Sequence, residues 1–398
     1  MRVLLVSNWL PPIRAGSSFY AGSLAQALWA RGHEIMVVTL DWGPAYRPTD
    51  AEEFPVRRLP VVKLPKLPLF FNLELMGLAY TPSNARRLRS LVDEHRAELV
   101  HHVNHIFDTT FLSTRVARQA GIPVIGSITT PIQHQDPRRQ RLFGWADRIT
   151  LGHFGVARWD GIVSLDRTVH DYVGRQYGEA VQRRSKVIPF GVSFETAETV
   201  TPTARAQRPT ILHVGHLHPF RNPVRLIEAM PHILRAVPQA QLLLAGRVDL
   251  RAPLVTARKL GLGDAQVRFL GEQPHAEVVR LMQAAHVFAS WVTGPYHSLG
   301  TAPMEAMLCE TPVVNDLPED LFGADALRNG ENIVLVDSND PTSIASAIVR
   351  LLTDEAWRRR IGAGGRRFVR ECLTWDAIAA RMEEFYGDVL SQYRARTL

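Results

Sequence analysis

Residues 293–316, TGPYHSLGTAPMEAMLCETPVVND, combine residue types that suit the recognition of a phosphorylated ligand. A loop containing Gly294 and Gly300 leads into a predicted helix that begins near Ala302-Pro303, because proline is favoured in the first helical turn. Backbone amides at the start of such a helix have no partner within the helix and bind phosphate well. The amides expected to face a ligand belong to Leu299, Gly300 and Thr301.

Glu305 lies in the second turn of this predicted helix, among alanine, methionine, leucine and cysteine. A buried carboxylate needs hydrogen-bond donors, and the two hydroxyls of a ribose supply them. A glutamate near the start of a helix is also favoured by the helix dipole alone. Spacing leaves both interpretations open.

A second group of polar residues lies in VHHVNHIF, residues 100–107, at the end of a predicted strand. Because side chains alternate along a strand, His102 and Asn104 share one face and His101 lies on the other. The pattern does not decide whether His102 or His105 faces a ligand, and either can be a hydrogen-bonded histidine of the core. A metal site would need converging carboxylates, and this run contains none.

The apolar periodicity of the chain indicates a fold that brings strand ends and helix starts together. The opening RVLLVSNWLPP reads as a buried strand, a helix follows a loop that contains Gly16, and HEIMVVTL is the next strand. A strand, a loop, a helix and a strand within about 40 residues form a Rossmann-like βαβ unit. The first turn lacks Gly-x-Gly-x-x-Gly, which argues against an NAD-dependent oxidoreductase.

The same alternation begins again after a polar Thr/Ala/Pro-rich segment, so we predict an α/β protein of two Rossmann-like domains. A ligand is expected in a cleft between the facing domains, and the amphipathic last helix is expected to cross back to the first domain. The predicted boundaries are residues 1–193 for the N-terminal domain, 194–209 for the linker, 210–374 for the C-terminal domain and 375–398 for the last helix.

Length and composition exclude several classes of protein. The 398 residues, 46% hydrophobic and 21% charged, are ordinary for globular domains. Two cysteines cannot form a disulfide framework and suit a reducing compartment. No apolar run approaches the roughly 20 residues that cross a bilayer, and the N-terminal run lacks a signal-peptide cleavage site. We therefore expect a cytoplasmic protein.

The net charge of +7 is unevenly distributed. Residues 1–190 carry 24 Lys and Arg against 16 Asp and Glu, whereas residues 191–398 carry 22 against 23. This asymmetry indicates an anionic partner for the first half, either a membrane surface or an acidic substrate. Nucleic acid is not expected, because no nucleic-acid-binding module is present.

Twelve short segments follow one another in an order that is typical of a single enzyme family. They are SNWLPPIRAG, ARGHEIMVVT, AELVHHVNH, AGIPVIGS, SKVIPFGV, ILHVGHLHPFRN, RLIEAM, VRFLG, HSLGTAPMEAM, ETPVVND, NGENIVLV and LTWDAIA. With these segments the chain resembles the retaining GT-B glycosyltransferases of glycosyltransferase family 4, nearly from end to end. The resemblance implies a GT-B fold and a nucleotide-diphosphate-sugar donor, with no metal and no cofactor.

In the N-terminal domain, the resemblance places Gly16 in a glycine loop that donor phosphate and sugar approach. The family usually has two glycines there, and this chain has Ala15-Gly16. The resemblance also implies a histidine near the reacting sugar. The register puts His102 there, with Asn104 and His105 as further candidates at the strand end.

In the C-terminal domain, GHLHPFRN stands where the family normally has Gly-Arg and Lys-Gly, whose two cations hold the donor diphosphate. Gly215 matches, His216 takes the place of the arginine, and Arg221 takes the place of the lysine. Arg221 carries a permanent charge, whereas His216 is charged only part of the time near neutral pH. The diphosphate site is therefore expected to be weaker or pH-sensitive.

The family's Glu-x7-Glu element also differs in this chain. Its second glutamate corresponds to Glu305, which is expected on the ribose hydroxyls, but its first position is His297. Two interpretations follow. His297 hydrogen-bonds a different donor sugar in an active enzyme, or the chain binds a nucleotide sugar without transferring it.

The mechanism implied by the resemblance is front-face substitution with retention at the anomeric carbon. Arg221, His216 and the helix that follows Gly300 would stabilise the departing diphosphate, which is electrostatic stabilisation of developing charge. UDP is the expected nucleotide, because it prevails among relatives. The alternative is a non-catalytic nucleotide-sugar-binding or regulatory protein with the same fold.

The acceptor is expected on the basic N-terminal domain. Residues 57–71 and 137–145 mix arginines with apolar side chains, a composition typical of contacts with anionic lipid. Ordinary surface loops with solvated arginines have the same composition. A small-molecule, glycan or lipid-linked acceptor and peripheral association with the inner face of the membrane therefore remain open.

Overall fold

The chain folds, in a computed structural model, into two compact units. Unit 1 comprises Met1–Gly191 together with Trp375–Leu398, and unit 2 comprises Val192–Thr374. The structure describes residues 1–48, 53–65, 75–132, 134, 136–193, 203–215, 217, 221, 223–248, 251–292, 298–323 and 327–397. Within these ranges, no helix has the length and apolar character needed to cross a membrane.

Unit 1 contains a parallel sheet whose central strands are short apolar runs, buried as expected of a sheet covered by helices. The strands are β1 (Arg2–Ser7), β2 (Glu34–Asp41), β3 (Val56–Pro60), β4 (Val62–Lys63), β5 (Gly77–Leu78), β6 (Leu99–Val103), β7 (Val124–Ile128), β8 (Gly161–Ser164) and β9 (Ser185–Val187). The described sheet has the order β3-β2-β1-β6-β7-β8-β9. The strands β4 and β5 form a separate antiparallel pair.

Helices connect successive strands of unit 1, and side-chain caps fix where several of them begin. They are α1 (Gly16–Ala30), α2 (Pro82–His95), α3 (Thr109–Ala120), α4 (Pro137–Asp147), α5 (Arg167–Tyr177) and α6 (Glu179–Gln182). Thr81, Asp136 and Asp166 accept hydrogen bonds from first-turn amides of α2, α4 and α5 respectively. A π-helical turn, Arg148–Gly152, continues α4.

Unit 2 repeats this architecture with six described strands, which are β10 (Thr210–Val214), β11 (Gln241–Ala245), β12 (Val267–Gly271), β13 (Val287–Ala289), β14 (Val313–Asn315) and β15 (Val334–Leu335). They form a parallel sheet in the order β12-β11-β10-β13-β14-β15. The helices are α7 (Val224–Ala236), α8 (Ala252–Lys259), α9 (His275–Ala284), α10 (Thr301–Leu308), α11 (Pro341–Thr353) and α12 (Glu355–Cys372).

The last helix, α13 (Trp375–Thr397), packs on unit 1, as the sequence predicts. Its apolar face shares a core cluster with β1 and α1. The Tyr386 hydroxyl lies 2.5 Å from His101 Nδ1, and His101 Nε2 lies 2.7 Å from Ser127 Oγ. At the rim of the same contact, Arg31 pairs with Asp376 at 2.9 Å and with Glu383 at 3.0 Å.

Each sheet has one position where the strand order reverses, and ligands of open α/β sheets bind beyond the carboxyl ends of the strands there. In unit 1 the reversal lies between β1 and β6, and in unit 2 it lies between β10 and β13. Asn104 directly follows β6, and Gly215 directly follows β10. The two positions predicted from the sequence to meet a ligand thus lie where the topology favours binding.

Two expectations about local structure are corrected. The sequence predicts Gly16 in a loop, but it is the first residue of α1, since the Ala15 carbonyl already accepts a helical hydrogen bond from the Phe19 amide at 3.1 Å. The described part of residues 57–71, expected as a contact surface or an ordinary surface loop, contains most of the edge strand β3, which pairs with β2, and the short strand β4.

The predicted linker, residues 194–209, is described only from residue 203 onward. This part is held on unit 2. Arg205 donates to the Glu310 carbonyl at 2.9 Å and to Thr311 Oγ1 at 3.0 Å, and the Ala206 amide donates to the Ala284 carbonyl at 2.9 Å. Residues of this segment therefore attach it to unit 2 by hydrogen bonds.

Candidate functional site

Arg221 lies between the end of β10 and the start of α10 in unit 2. A Cβ placed on Gly215 would lie 3.3 Å from Arg221 Nη1, and one placed on Gly300 would lie 3.8 Å from Arg221 Nη2. Both glycines have positive φ, +151° and +73°, which side-chain-bearing residues rarely adopt. The structure thus places the Arg221 guanidinium between Gly215 and Gly300.

Backbone amides at the start of α10 lie near the Arg221 guanidinium. Gly300 is the N-cap residue, and no side chain of the described residues caps the helix. Pro303, the third residue, has no amide hydrogen, so the first-turn donors are the amides of Thr301 and Ala302. Leu299 is buried directly before the cap, which fixes the loop against the protein. A helix N-terminus beside a guanidinium is suited to an anion.

Arg221 is short of hydrogen-bond acceptors. It is largely withdrawn from solvent, and this burial lowers the pKa of its guanidinium, although arginine remains charged at any physiological pH. Among the described residues, no carboxylate or carbonyl accepts a hydrogen bond from it. A desolvated cation without a protein partner is costly unless a ligand supplies the counter-charge.

Glu305 does have a partner, which the sequence analysis missed. Its Oε1 accepts a hydrogen bond from His275 Nε2 at 3.2 Å, and its side chain is 22% exposed. The hydrogen bond raises the pKa of His275 above its ordinary value. His275 begins α9, and no sequence pattern links the first residue of one helix to the second turn of another. Oε2 of Glu305 has no hydrogen-bond partner among the described residues.

His213 on β10 is a further residue that the sequence analysis did not select. Its Nδ1 donates to the Ala289 carbonyl at 2.9 Å, so Nε2 carries the lone pair. Burial lowers the pKa of His213 to about 4, and the charge of Arg221 adds to this effect. His213 Nε2 is buried and has no partner among the described residues. A neutral acceptor nitrogen therefore lies within electrostatic reach of Arg221.

Gly16 opens onto free space in unit 1. A Cβ placed on this residue would meet no described atom within 4 Å, so packing does not require glycine here. Within the described part of the chain, the N-terminus of α1 has no side-chain cap. Ser18, in the same helical turn, is fully buried, and its hydroxyl has no partner among the described residues.

His102 is not accessible to solvent, and its predicted contact with the sugar stays a prediction. Its side chain is fully buried beneath α3. Its Nε2 lies 3.0 Å from the Asn104 carbonyl and 3.0 Å from Thr110 Oγ1. Thr110 donates its own proton to the His105 carbonyl at 2.9 Å, so His102 is the donor in this group. Burial lowers the pKa of His102 to about 3 and keeps the ring neutral.

Asn104 and His105 form the strand end that His102 supports. Asn104 has a φ of +70°, and its buried Oδ1 has no partner among the described residues. His105 is fully buried 6.2 Å from the Tyr177 ring, and neither ring nitrogen has a described partner. Burial lowers the pKa of His105, while the nearby Asp147 acts in the opposite direction. Unsatisfied polar atoms collect at this strand end, which is where ligands bind in such sheets.

His216 and His297, the two positions where the chain departs from the family pattern, lie outside the described residues. Their predicted roles therefore stay predictions. Among the described residues, no cluster of three or more His, Cys, Asp or Glu side chains is arranged to hold a metal ion.

Profiles of two protein families match consecutive parts of the chain. The profile described as Glycosyltransferase Family 4 matches residues 14–196, and the one described as Glycosyl transferases group 1 matches residues 197–368. The junction between the two matches falls within the predicted linker.

Relatives with known names match the chain over its whole length or over part of it. A phosphatidyl-myo-inositol mannosyltransferase from Mycobacterium leprae is 26% identical over 98% of this chain and 97% of its own. A D-inositol 3-phosphate glycosyltransferase from Corynebacterium diphtheriae is 34% identical over 44% of this chain and 41% of its own.

Solved structures match the architecture. Sucrose-phosphate synthase from Thermosynechococcus elongatus superposes with a TM-score of 0.70 at 20% identity, covering 98% of this chain and all of its own. HepE from Anabaena, solved with UDP, gives 0.72 at 17% identity over 98% of this chain and all of its own. At such identities the likeness concerns the fold, and the fold is GT-B. With both family profiles and the full-length relative, the chain belongs to glycosyltransferase family 4.

Proposed function

We propose that the chain transfers a hexosyl group from a nucleotide-diphosphate sugar to an acceptor hydroxyl, with retention of configuration at the anomeric carbon and without a metal ion. The observation that carries this proposal is the position of Arg221, whose guanidinium lies against Gly215 and against the start of α10, which no described side chain caps. Oriented amides and a permanent cation are suited to the charge that develops on a departing diphosphate. Glu305 on the same helix then meets the ribose.

The proposed donor nucleotide is UDP. HepE has been solved with UDP and with UDP-glucose, and its fold is shared by this chain. His297 stands where the family has a glutamate near the transferred sugar, so the hexose is proposed to differ from that of enzymes with the glutamate. His216 is proposed to assist Arg221 at the diphosphate, most strongly when it is protonated.

The proposed acceptor is a hydroxyl of a phosphorylated cyclitol, free or lipid-linked. Both named relatives act on inositol compounds, according to their names. The acceptor is assigned to unit 1, which carries the excess positive charge. Attack occurs on the face that the diphosphate leaves, and the departing phosphate oxygen takes the proton. His102 is then a positioning residue, which holds the backbone of Asn104 through its Nε2 hydrogen bond.

The surface of α4 and the following turn supports peripheral contact with an anionic membrane. Four large apolar side chains are exposed there: Leu142 (58%), Trp145 (60%), Ile149 (44%) and Phe154 (51%). Exposed arginines flank them: Arg138, Arg139, Arg141 and Arg148. Apolar anchors with flanking cations are typical of surfaces that lie on anionic lipid. A lipid-linked acceptor would be reached from such a position.

A donor and acceptor panel tests the proposed function. Purified protein is incubated with UDP- and GDP-hexoses and with myo-inositol, inositol phosphate or phosphatidylinositol vesicles, and NMR of the product gives the anomeric configuration. We expect transfer with retention, loss of turnover in Arg221→Gln, and normal turnover in Arg225→Gln, a surface arginine on α7 paired with Glu228 at 2.7 Å. Binding of a nucleotide sugar without turnover on any acceptor would favour the non-catalytic alternative. An inverted product would overturn the mechanism.

A further inference from the structure

A basic cavity of about 360 Å³ lies in unit 1. Its charged and aromatic lining consists of Arg118, Arg158, Arg184, Arg396, Asp160 and Tyr393. Asp160 directly precedes β8, and Arg184 directly precedes β9. The cavity therefore lies at the amino ends of the parallel strands, whereas Asn104 lies at their carboxyl ends.

The lining carries four guanidinium groups and one carboxylate. The Asp160 side chain is partly buried, and one of its oxygens accepts a hydrogen bond from the Val124 amide at 3.0 Å. Burial raises the pKa of Asp160, although three of the arginines act to lower it. One carboxylate cannot neutralise four permanent cations, so the cavity has an excess charge of about +3.

The four arginines differ in how many hydrogen bonds their guanidinium groups make within the protein. Arg184 donates to the carbonyls of Trp159 and Ala157, and thus forms a wall of the cavity. Arg118 Nη1 makes one long hydrogen bond, 3.3 Å, to the Arg158 carbonyl. Arg158 lies over the Phe154 ring at 5.5 Å. Each guanidinium has five N–H donors, so most donors of Arg118, Arg158 and Arg396 have no acceptor among the described residues.

The fold reduces the cost of gathering these charges. Arg118 lies in the last turn of α3, and Arg396 lies in the last turn of α13. Cations at the carboxyl ends of helices interact favourably with the helix dipole. The helix dipoles therefore stabilise these arginines when no ligand is bound. Their N–H donors that have no described acceptor are available to bind a ligand.

We propose that this cavity is a binding site for a phosphate ester, separate from the donor and acceptor sites. A guanidinium group can donate two parallel N–H hydrogen bonds to two oxygens of one phosphate. Several converging arginines therefore suit a group with two or more negative charges. The volume lies at the lower end of the range for small-molecule sites. The phosphate belongs to a free metabolite or to a phospholipid head group, since both present the same chemistry.

The first experiment uses pyrophosphate and isothermal titration calorimetry on the full chain carrying Arg221→Gln, a change expected to weaken binding at the proposed donor site. In this background, Arg118→Gln combined with Arg396→Gln should weaken pyrophosphate binding by about 10-fold or more, the scale of a charged hydrogen bond. Arg183→Gln is the matched control, because it removes an exposed charge one residue from Arg184 without lining the cavity.

Hydrogen exchange provides an independent readout of the same site. Pyrophosphate should slow amide exchange in the last turn of α13, because Tyr393 and Arg396 line the cavity. Unchanged affinity in the double variant would overturn the proposal. Equal losses in the double variant and in Arg183→Gln would also overturn it, since they would indicate general charge attraction.

Vesicle sedimentation identifies the source of the phosphate. Phosphatidylcholine vesicles with and without phosphatidylinositol are compared for the parent chain and the double variant. If the double variant loses both pyrophosphate binding and phosphatidylinositol-dependent sedimentation, the ligand is a lipid head group. If it loses pyrophosphate binding alone, the ligand is a free phosphate ester.

Discussion

Replacing Arg221 by methionine should weaken diphosphate binding strongly while leaving the folded protein as stable as before. The two ends of the guanidinium face Gly215 and Gly300, so a bound diphosphate can accept from both. Two charge-assisted hydrogen bonds at about 1.5–3 kcal/mol each predict a loss of about 3 kcal/mol or more. This corresponds to a reduction of roughly 100-fold or more in affinity for UDP.

The free energy of unfolding of the unliganded protein, in contrast, should not fall in this variant. The Arg221 cation is desolvated and has no acceptor among the described residues, so folding gains little from its charge. Methionine keeps much of the apolar stem, and we expect the free energy of unfolding to stay unchanged or to rise by about 1 kcal/mol. For a domain of the size of unit 2, which holds Arg221, that rise corresponds to a Tm increase of about 2–4 °C.

Calorimetry with UDP and with uridine, together with thermal unfolding without ligand, measures both effects. Uridine lacks the diphosphate, so its affinity should not change. Arg225→Met on α7 is the control, because Arg225 pairs with Glu228 at the surface and should affect neither nucleotide. Equal losses for uridine and UDP would remove Arg221 from the phosphate role. A fall of several kcal/mol in stability would show that a protein carboxylate is its partner.

Other changes probe single contacts. Glu305→Ala should weaken uridine binding by about 1.5–3 kcal/mol and leave pyrophosphate affinity unchanged, as measured by calorimetry. Because Glu305 raises the pKa of His275, the pair stabilises the fold below the ordinary histidine pKa, and this contribution disappears as pH rises through the raised value. Glu305→Gln should therefore lower stability by about 0.2–1 kcal/mol near pH 5.5 but not near pH 8 in thermal unfolding. Gly16→Leu should leave stability within about 0.5 kcal/mol, because no described atom lies within 4 Å of the added Cβ, but it should reduce kcat/KM if the donor occupies this space as proposed. Tyr386→Phe leaves His101 Nδ1 buried without its partner and should cost about 1–3 kcal/mol in urea unfolding.

Specific outcomes would contradict these four expectations. Weaker pyrophosphate binding in Glu305→Ala would place Glu305 at the phosphate. A pH-independent effect of Glu305→Gln would mean that His275 does not titrate against it. A large loss of stability in Gly16→Leu would show that the space is needed for packing, and an unchanged Tyr386→Phe protein would show that His101 finds another partner.

The elements of the fold are predictable because the pattern is local. Short apolar strands that alternate with amphipathic helices indicate doubly wound domains, and the helix that follows Gly300 begins within one residue of the expected position. The α1 boundary was wrong because Ala15, the N-cap residue, provides no side-chain cap that the sequence could reveal. Helix starts marked by Thr81 or Asp166 carry such a signal.

The site is less predictable, because its contacts join distant elements. His275 and Glu305 are 30 residues apart, and the sequence pattern of neither helix predicts their hydrogen bond. Strand alternation correctly separates His101 from His102, but it cannot tell an accessible face from one that a helix covers. His102 is buried beneath α3, where Thr110 contacts its Nε2, and this burial keeps the ring neutral while Nε2 hydrogen-bonds the Asn104 carbonyl.

The return of α13 to unit 1 has a consequence for the order in which the chain folds during synthesis. Unit 2 is one continuous segment, Val192–Thr374, and can complete its core as soon as it leaves the ribosome. Unit 1 cannot, because the face formed by β1 and α1 waits for residues that are made last. At roughly 5–20 residues per second, this face stays uncovered for about 10–40 s. Chaperone demand and the aggregation of truncated chains should therefore arise from the N-terminal half, and adding the α13 segment as a separate peptide should reduce both.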